Sequence, residues 1–338
     1  MTTTQLTLRE ITILAEEALV ASGASAGAAS SLAAAVTAAE RDGIRSHGLI
    51  YVPIYCEHLT CGKVNATAEP AVLSKEGSVI MVDADCGFAH PAIDIGFNEL
   101  RPLAKLLGCA ALTVRNSYNC GVLGYHVERL AEDGLVAIGF TNAPASIAPA
   151  GGQKPVVGTN PVALAVPGDS GGAAFVLDQS ASVVAKSEIM TRSREGRAIP
   201  EGWALDADGQ PTTDPEKALK GSMAPSGGYK GFGIGLLVEV MAAALSGATL
   251  GIDASPFSGT EGGPPRTGQC FLALSPDAFS SDTFDDRIEA LTQAIATQGE
   301  ARLPGSRRLT HRHRSESDGV SVNQSLIDRI QNITFKGD

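Results

Sequence analysis

Gly227-Gly228-Tyr229-Lys230-Gly231-Phe232-Gly233-Ile234-Gly235 is the stretch on which the fold class turns, because its alternating glycines raise the question of a dinucleotide fingerprint. A G-x-G-x-x-G fingerprint follows a strand, opens a helix and is answered by an acidic residue about twenty positions later. That context is missing here. The glycines from Gly231 to Gly235 lie inside a helical pattern and read as positions of close helix packing. The sequence therefore predicts a long buried helix running to about Leu245 and gives a Rossmann fold no support. Gly227 to Gly231 also present backbone N–H groups beside Lys230, which suits a phosphate or carboxylate; a plain helix N-terminus accounts for the same residues.

Upstream of this stretch, short β-like runs at residues 78–83, 110–114, 136–142, 162–166 and 175–178 alternate with helical patterns at 91–107 and 122–133. Such alternation predicts a central sheet with covered faces, of mixed direction because some connections are too short for a helical crossover. Before residue 71 the period is helical. Thr7 to Glu10 fits a capping box, Leu8, Ile11, Ala15, Ala18 and Leu19 keep one face apolar, and Gly23 ends the run. A second helix is expected over 25–42, and a third over 50–59 with Pro53 near its start, where proline is tolerated. Residues 188–225 are polar and turn-rich and read as a long loop or small hairpin of the kind that covers an active site. A closing helix is expected over 323–333, with Asn323 or Ser325 as its cap.

Bulk properties narrow the function. A chain of 338 residues suits two domains, and 43% hydrophobic with 19% charged residues is ordinary for a globular protein. The net charge of −11 argues against a nucleic-acid partner. The six cysteines form no C-x-x-C pair and no zinc spacing, so no metal is expected and reduced thiols are the simpler reading. Met1 to Glu10 shows no signal-peptide pattern, and the apolar run at 232–252 is interrupted by Glu239, so a cytoplasmic chain with no membrane span is expected.

The candidate chemistry begins at Arg41-Asp42-Gly43-Ile44-Arg45-Ser46-His47-Gly48. A histidine titrates near neutrality and can give a proton to a reacting atom, and Ser46 beside it can orient the ring or pass the proton on. The competing reading is a helix C-terminus, with Gly48 as a left-handed cap and Arg45 and His47 facing the dipole. Asn116-Ser117-Tyr118-Asn119-Cys120-Gly121 follows a strand and precedes a helix, where α/β folds present ligand-binding loops. Gly158-Thr159-Asn160-Pro161 precedes another strand. Asp178 ends the next and can position the histidine or a substrate amine, or serve as a cap. Cys120 can be a reactive thiol, but with no sign of a depressed pKa it reads as a small buried filler. Arg302, Arg307 and Arg308, around Pro304-Gly305, can clamp a phosphate or form a solvated basic face.

In this order, Ser46-His47-Gly48, Ala148-Pro149 with Gly151-Gly152, Gly158-Thr159-Asn160-Pro161, Asp178, Gly227 to Gly231 and Arg302 with Pro304-Gly305 resemble the malate/L-lactate dehydrogenase family of NAD(P)H-dependent oxidoreductases that lacks a Rossmann fold. Its members include sulfolactate, ureidoglycolate and diketogulonate oxidoreductases and reductases of Δ1-pyrroline-2-carboxylate and Δ1-piperideine-2-carboxylate. The resemblance implies an α/β fold with a helical domain from both termini, residues 1–70 with 276–338, and a central mixed-sheet cofactor-binding domain, 71–275. It also implies a homodimer acting on a small molecule. Within the site it implies Ser46 and His47 as relay and proton donor, and Thr159 near the substrate. Cofactor contacts are implied from Asn119, Cys120, Gly121, Val122 and Leu123, from Asp178, Gln179 and Ser180, from Lys230, and from Arg302, Gly305, Arg307 and Arg308. The three arginines favour NADPH over NADH.

Two positions depart from the family pattern: Asn119 stands where many members have a histidine, and Tyr51 where many have an arginine, so Arg45 or a partner-subunit residue is expected to hold the substrate carboxylate. A ketone needs its developing alkoxide protonated, whereas a cyclic imine can enter already protonated. A site with one histidine therefore leans toward the imine. The expectation is reduction of Δ1-pyrroline-2-carboxylate or Δ1-piperideine-2-carboxylate to L-proline or L-pipecolate. The alternatives are a 2-hydroxyacid dehydrogenase and a non-catalytic ligand-binding relative.

Overall fold

The computed structural model describes residues 2–168 and 171–337. A short strand, β1 (Thr3–Leu6), leads into α1 (Leu8–Ala21), which starts with the expected capping box. The Glu10 N–H donates to Thr7 Oγ1 at 3.2 Å, and the Thr7 N–H donates to Glu10 Oε2 at 2.7 Å. Ser25 caps α2 (Ala26–Arg41), accepting from the Ala28 N–H at 3.3 Å. The next helix, α3 (Val52–Thr60), carries Pro53 in its first turn, where no helical N–H is lost. Ile11, Leu19, Leu32, Val36, Val52 and Leu59 from these helices share one core, completed by Val320, Val322 and Ile330 from the far end of the chain.

The strand period then takes over. β2 (Ala71–Glu76) and β3 (Val79–Asp83) are followed by α4 (Ala89–Leu107), β4 (Cys109–Ser117), α5 (Leu123–Ala131), β5 (Val136–Thr141), β6 (Val162–Pro167) and β7 (Ala173–Gln179). Residues 188–225, expected as a loop or hairpin, instead belong to a small folded unit that begins just before them. It contains α6 (Lys186–Arg194), β8 (Ala204–Leu205), β9 (Pro211–Thr212), α7 (Pro215–Lys220) and β10 (Ser222–Met223). Ile147, Val157, Ile189, Ile199 and Met223 form its core, and the Arg192 guanidinium lies 4.8 Å from the Trp203 ring centroid.

The chain continues through α8 (Tyr229–Glu239), a π-helical turn over Val240–Ala244, β11 (Thr267–Leu274), α9 (Pro276–Ser280), α10 (Phe284–Ala296), α11 (Ser306–Asp318), β12 (Val320–Asn323) and α12 (Gln324–Gly337). β12 pairs antiparallel with β1, which ties the two ends together. Asn323 Oδ1 accepts from the Ser325 N–H at 3.1 Å, the capping role expected of it.

The main sheet runs β2-β3-β4-β11-β5-β6-β7, with β3 and β4 parallel and the other neighbours antiparallel. Side-chain alternation sends Leu112, Val114, Ala137 and Phe271 toward α4 and α5, and Phe140 and Cys270 toward Val238 and Ala242 on the other face. Gly96 lets α4 press on the sheet, since a Cβ there would lie 2.5 Å from Leu112 Cδ2. Gly231 and Gly235 serve close packing as expected, since a Cβ at Gly231 would overlap the Ser226 carbonyl and one at Gly235 would lie 3.2 Å from Val157 Cγ2; Gly233 does not, since a Cβ there would meet nothing within 4 Å. The helix that follows is not buried throughout. Leu236 at 49% and Leu237 at 47% exposure face outward, because only one side of this all-round apolar helix has the sheet to cover it.

Candidate active site

The candidate histidine sits where α2 turns toward α3. Asp42 ends α2, Gly43 takes φ of 75°, and two turns of 3-10 helix follow, Arg45–His47 and Leu49–Tyr51. Gly48 has φ of −89°, so it is not the left-handed cap that the helix-terminus reading requires; Gly43 takes that conformation instead. What demands a glycine at 48 is Glu40. Its carboxylate is buried beneath the turn, Oε1 accepts the Leu49 N–H at 2.7 Å, and a Cβ on residue 48 would overlap it. Burial raises the Glu40 pKa, against the Leu49 hydrogen bond and the charge of Arg45.

Ser46 Oγ lies 3.0 Å from His47 Nδ1. With the hydroxyl donating, a neutral ring carries its proton on Nε2. His47 is half-buried; burial lowers its pKa, and the charge of Asp178 works in the opposite direction. The Tyr51 ring lies parallel to the imidazole, with 6.3 Å between centroids and 4° between planes. Behind it stand Tyr55 and Tyr118, both fully buried, and the Tyr55 hydroxyl donates to Asn119 Oδ1 at 3.5 Å. Burial raises the pKa of Tyr51 over the opposing hydrogen bonds of Tyr118 and Asn119, so this wall is uncharged at neutral pH.

Asn119 Oδ1 also accepts from the Gly121 N–H at 3.1 Å, which shapes the loop before α5. Cys120 and Leu123 turn their side chains into the sheet core, so a ligand at this loop meets their main chain, as it does that of Gly121 and the half-buried Val122. Burial pushes the Cys120 thiol up to about 12, which suits the filler expected and not a nucleophile.

Asp178 acts as a cap and as an ion partner together. Its Oδ2 accepts from the Gly124 N–H at 2.8 Å in the first turn of α5 and lies 3.4 Å from Arg308 Nη2. Arg308, expected as a phosphate clamp, is thus committed to a carboxylate. Arg302, Arg307 and Lys230 are exposed and make no ion pair among the described residues. Gly305 opens α11 at φ of 81° and abuts β7, where a Cβ would lie 2.8 Å from the Val176 carbonyl oxygen. Thr159 is half-buried; its carbonyl accepts from the Ala181 N–H at 2.7 Å, and its hydroxyl has no hydrogen bond among the described residues. Gln179 is exposed, and Ser180 Oγ lies 2.9 Å from Ser182 Oγ.

Hydrogen bonds and ring contacts join Ser46, His47, Tyr51, Tyr55, Asn119 and Gly121 into one cluster, and Asp178, paired with Arg308, acts on His47 through its charge. Thr159, Lys230, Arg302 and Arg307 are linked to it by no hydrogen bond or ion pair among the described residues. Two charged residues at this site went unread in the sequence. Glu40 left a signal, since it continues the inward register of Leu32 and Val36. Arg312 left none: its guanidinium spans Asp42, with Nε–Oδ1 of 3.0 Å and Nη2–Oδ2 of 2.8 Å, and reaches Glu128 Oε2 at 3.0 Å.

Among the described residues no group of three or more His, Cys, Asp or Glu is placed to hold a metal, and no helix is long and apolar enough to cross a membrane. A mixed sheet without a G-x-G-x-x-G fingerprint, together with a histidine turn, is the setting of a non-Rossmann oxidoreductase, and the family match assigns the chain to that class. The chain belongs to the malate/L-lactate dehydrogenase family, whose model matches residues 6–331. It is 44% identical over 326 residues to a (2R)-3-sulfolactate dehydrogenase (NADP(+)) of Chromohalobacter salexigens, covering 96% of this chain and 97% of that one. It is 37% identical to a Δ1-pyrroline-2-carboxylate reductase of Agrobacterium fabrum, covering 99% and 98%. The crystal structure of a Δ1-piperideine-2-carboxylate reductase from Pseudomonas syringae superposes with a TM-score of 0.93 at 33% identity, over 98% of this chain and 99% of that one.

Proposed function

We propose that this protein is an NAD(P)H-dependent reductase of a small cyclic ketimine carboxylate, Δ1-pyrroline-2-carboxylate or Δ1-piperideine-2-carboxylate, giving L-proline or L-pipecolate, and that it works as a homodimer. The observation that carries the substrate class is the uncharged wall of Tyr51, Tyr55, Tyr118 and Asn119 beside His47. Such a wall suits a compact ring with one carboxylate better than a substrate with a second anionic group, which would be desolvated there without a countercharge. Relatives at 36–37% identity named as pyrroline-2-carboxylate reductases support the same reading. The relative named for sulfolactate, at 44% identity, favours a second reading, a 2-hydroxyacid dehydrogenase.

The residues present fit a nicotinamide dinucleotide. Among the described residues Lys230, Arg302 and Arg307 have no ion partner, which suits them to phosphates, and the main chain from Asn119 to Leu123 at the start of α5 and Asp178, Gln179 and Ser180 at the end of β7 offer hydrogen-bonding groups. The bound cofactor supplies a hydride. NADPH is the preferred form on this reading, given Arg302 and Arg307 and the NADP(+) named for the sulfolactate relative.

As an imidazolium, His47 donates from Nδ1 to Ser46 Oγ and holds on Nε2 the proton for the atom that gains electron density. Arg45, exposed on the same turn, meets the substrate carboxylate, Tyr51 closes one side of the ring, and Thr159 offers its hydroxyl. The test is oxidation of NADPH and of NADH with both imines, pyruvate, oxaloacetate and 3-sulfopyruvate. Faster turnover of an oxoacid removes the imine reading in favour of the dehydrogenase. Cofactor binding with no turnover of any of them points to a non-catalytic relative.

A further inference from the structure

We propose that Glu40 is a positioning residue for His47, holding the turn that carries the imidazole through the main chain of Leu49. The inference rests on the reading of His47 as proton donor. Among the described residues the His47 ring makes one hydrogen bond, to Ser46, which rides on the same turn. The direction of the ring is therefore set by where that turn is fixed. Leu49 is fully buried in the helical core, and its N–H ends on Glu40 Oε1 at 2.7 Å, two residues after the histidine. Glu40 is 6% exposed at the end of α2, an expensive place for a carboxylate unless it is hydrogen-bonded.

Gly48 closes the argument. With no side chain at residue 48, the main chain rests directly on the carboxylate, and a Cβ would overlap it. Arg45, one residue before Ser46, supplies the charge that favours the ionised form. The turn is thus held on a buried acceptor at one end and keyed to it by a missing side chain. Small shifts of a reacting group are costly: a misplacement of about 1 Å can lower a rate about a hundredfold.

The experiment compares Glu40→Gln, which keeps an acceptor for the Leu49 N–H, with Glu40→Met, which keeps the approximate volume and removes it, and with Gly48→Ala, which drives a Cβ onto the same carboxylate. Glu40→Met and Gly48→Ala are expected to lower kcat by at least about tenfold, on the scale of such misplacements, with cofactor Kd changed less than about twofold. Glu40→Gln is expected to retain at least about a third of kcat, since its amide oxygen still accepts. A second readout needs no turnover: NMR of ring-labelled histidine should show the His47 titration altered in Glu40→Met and Gly48→Ala and restored in Glu40→Gln. Unaltered kcat and His47 resonances in either damaging variant that folds would overturn the proposal, as would a Gln variant as impaired as Met. Undiminished turnover by His47→Ala would instead overturn the donor reading, and the resonances alone would then decide the positioning.

Discussion

At the scale of single residues, His47 has two opposed influences on its charge. Burial lowers its pKa below the ordinary 6.5, and the Asp178 carboxylate pulls it back. A proton donor works in its protonated form, so kcat/KM for reduction is expected to fall as pH rises through a value below 6.5. Asp178→Asn removes the raising influence, so that alkaline limb should move to lower pH. His47→Ala should lower kcat by about two or more orders of magnitude and flatten the limb. A limb that stays in place in Asp178→Asn would separate the aspartate from the histidine and leave it the capping role alone.

The His47 turn was legible from its residue types because histidine beside serine is a chemical signal carried within two positions. Glu40 was harder to see. Its meaning depends on a hydrogen bond to a residue nine positions away and on a glycine whose need for space shows only when the turn is folded. The sequence holds one trace of it, a charge on the inward face of an otherwise apolar helix, and such a charge is rare unless it is paired.

At the scale of elements, strands and helices with a clear apolar period fell where the sequence put them, and others, β11 and α11 among them, did not announce themselves. β11 lies at the centre of the sheet, yet its partners β4 and β5 are more than a hundred residues upstream, and periodicity says nothing of strand order. α11 has no buried residue and hence no apolar stripe to read. Its organised face is ionic: Arg308 and Arg312, one helical turn apart, reach Asp178 on the sheet and Asp42 at the end of α2.

This helix thereby links the turn carrying His47 to the loop before α5, and Glu128 on α5 shares the Arg312 guanidinium. The side chains of Arg312, Asp42 and Glu128 are 16%, 8% and 10% exposed, so removing the cation leaves Glu128 without an ion partner among the described residues and Asp42 with Arg41 alone. Arg312→Met is expected to destabilise the protein by about 3 kcal/mol or more, read from the urea midpoint, and Asp42→Asn in the same chain should restore part of it. Burial alone would raise the Asp42 pKa, but Arg312 and Arg41 outweigh it and the net shift is downward. The stability this carboxylate contributes is therefore present above the ordinary 3.8 and lost as pH falls through its lower folded value. A double variant no more stable than Arg312→Met would mean that the loss comes from packing and not from stranded charge.

At the scale of the whole molecule, the helix that excluded a Rossmann fold also poses the largest unmet demand. α8 and the turn after it are apolar on every side. Val238 and Ala242 are fully buried against the sheet, while Ile234 at 40%, Leu236 at 49%, Leu237 at 47%, Val240 at 50% and Leu245 at 58% exposure face away from it. A helix of this kind is stable when both faces are covered, and a row of apolar side chains this long is more than scattered surface hydrophobes. In the proposed homodimer a second copy of the chain would cover it, since a two-fold axis would bring the same uncharged patch against itself on a protein of net charge −11. Light scattering should then give twice the chain mass of 34.7 kDa at micromolar concentration. Leu237→Asp with Val240→Asp should halve it by stranding carboxylates in the contact. Lys230 lies in the first turn of the same helix, so the monomeric variant is also expected to bind NADPH more weakly, measured by the fluorescence of the bound cofactor. A wild-type chain that scatters as a monomer, or a double variant that still scatters as a dimer, would place the subunit contact elsewhere and leave the exposed face of α8 without this explanation.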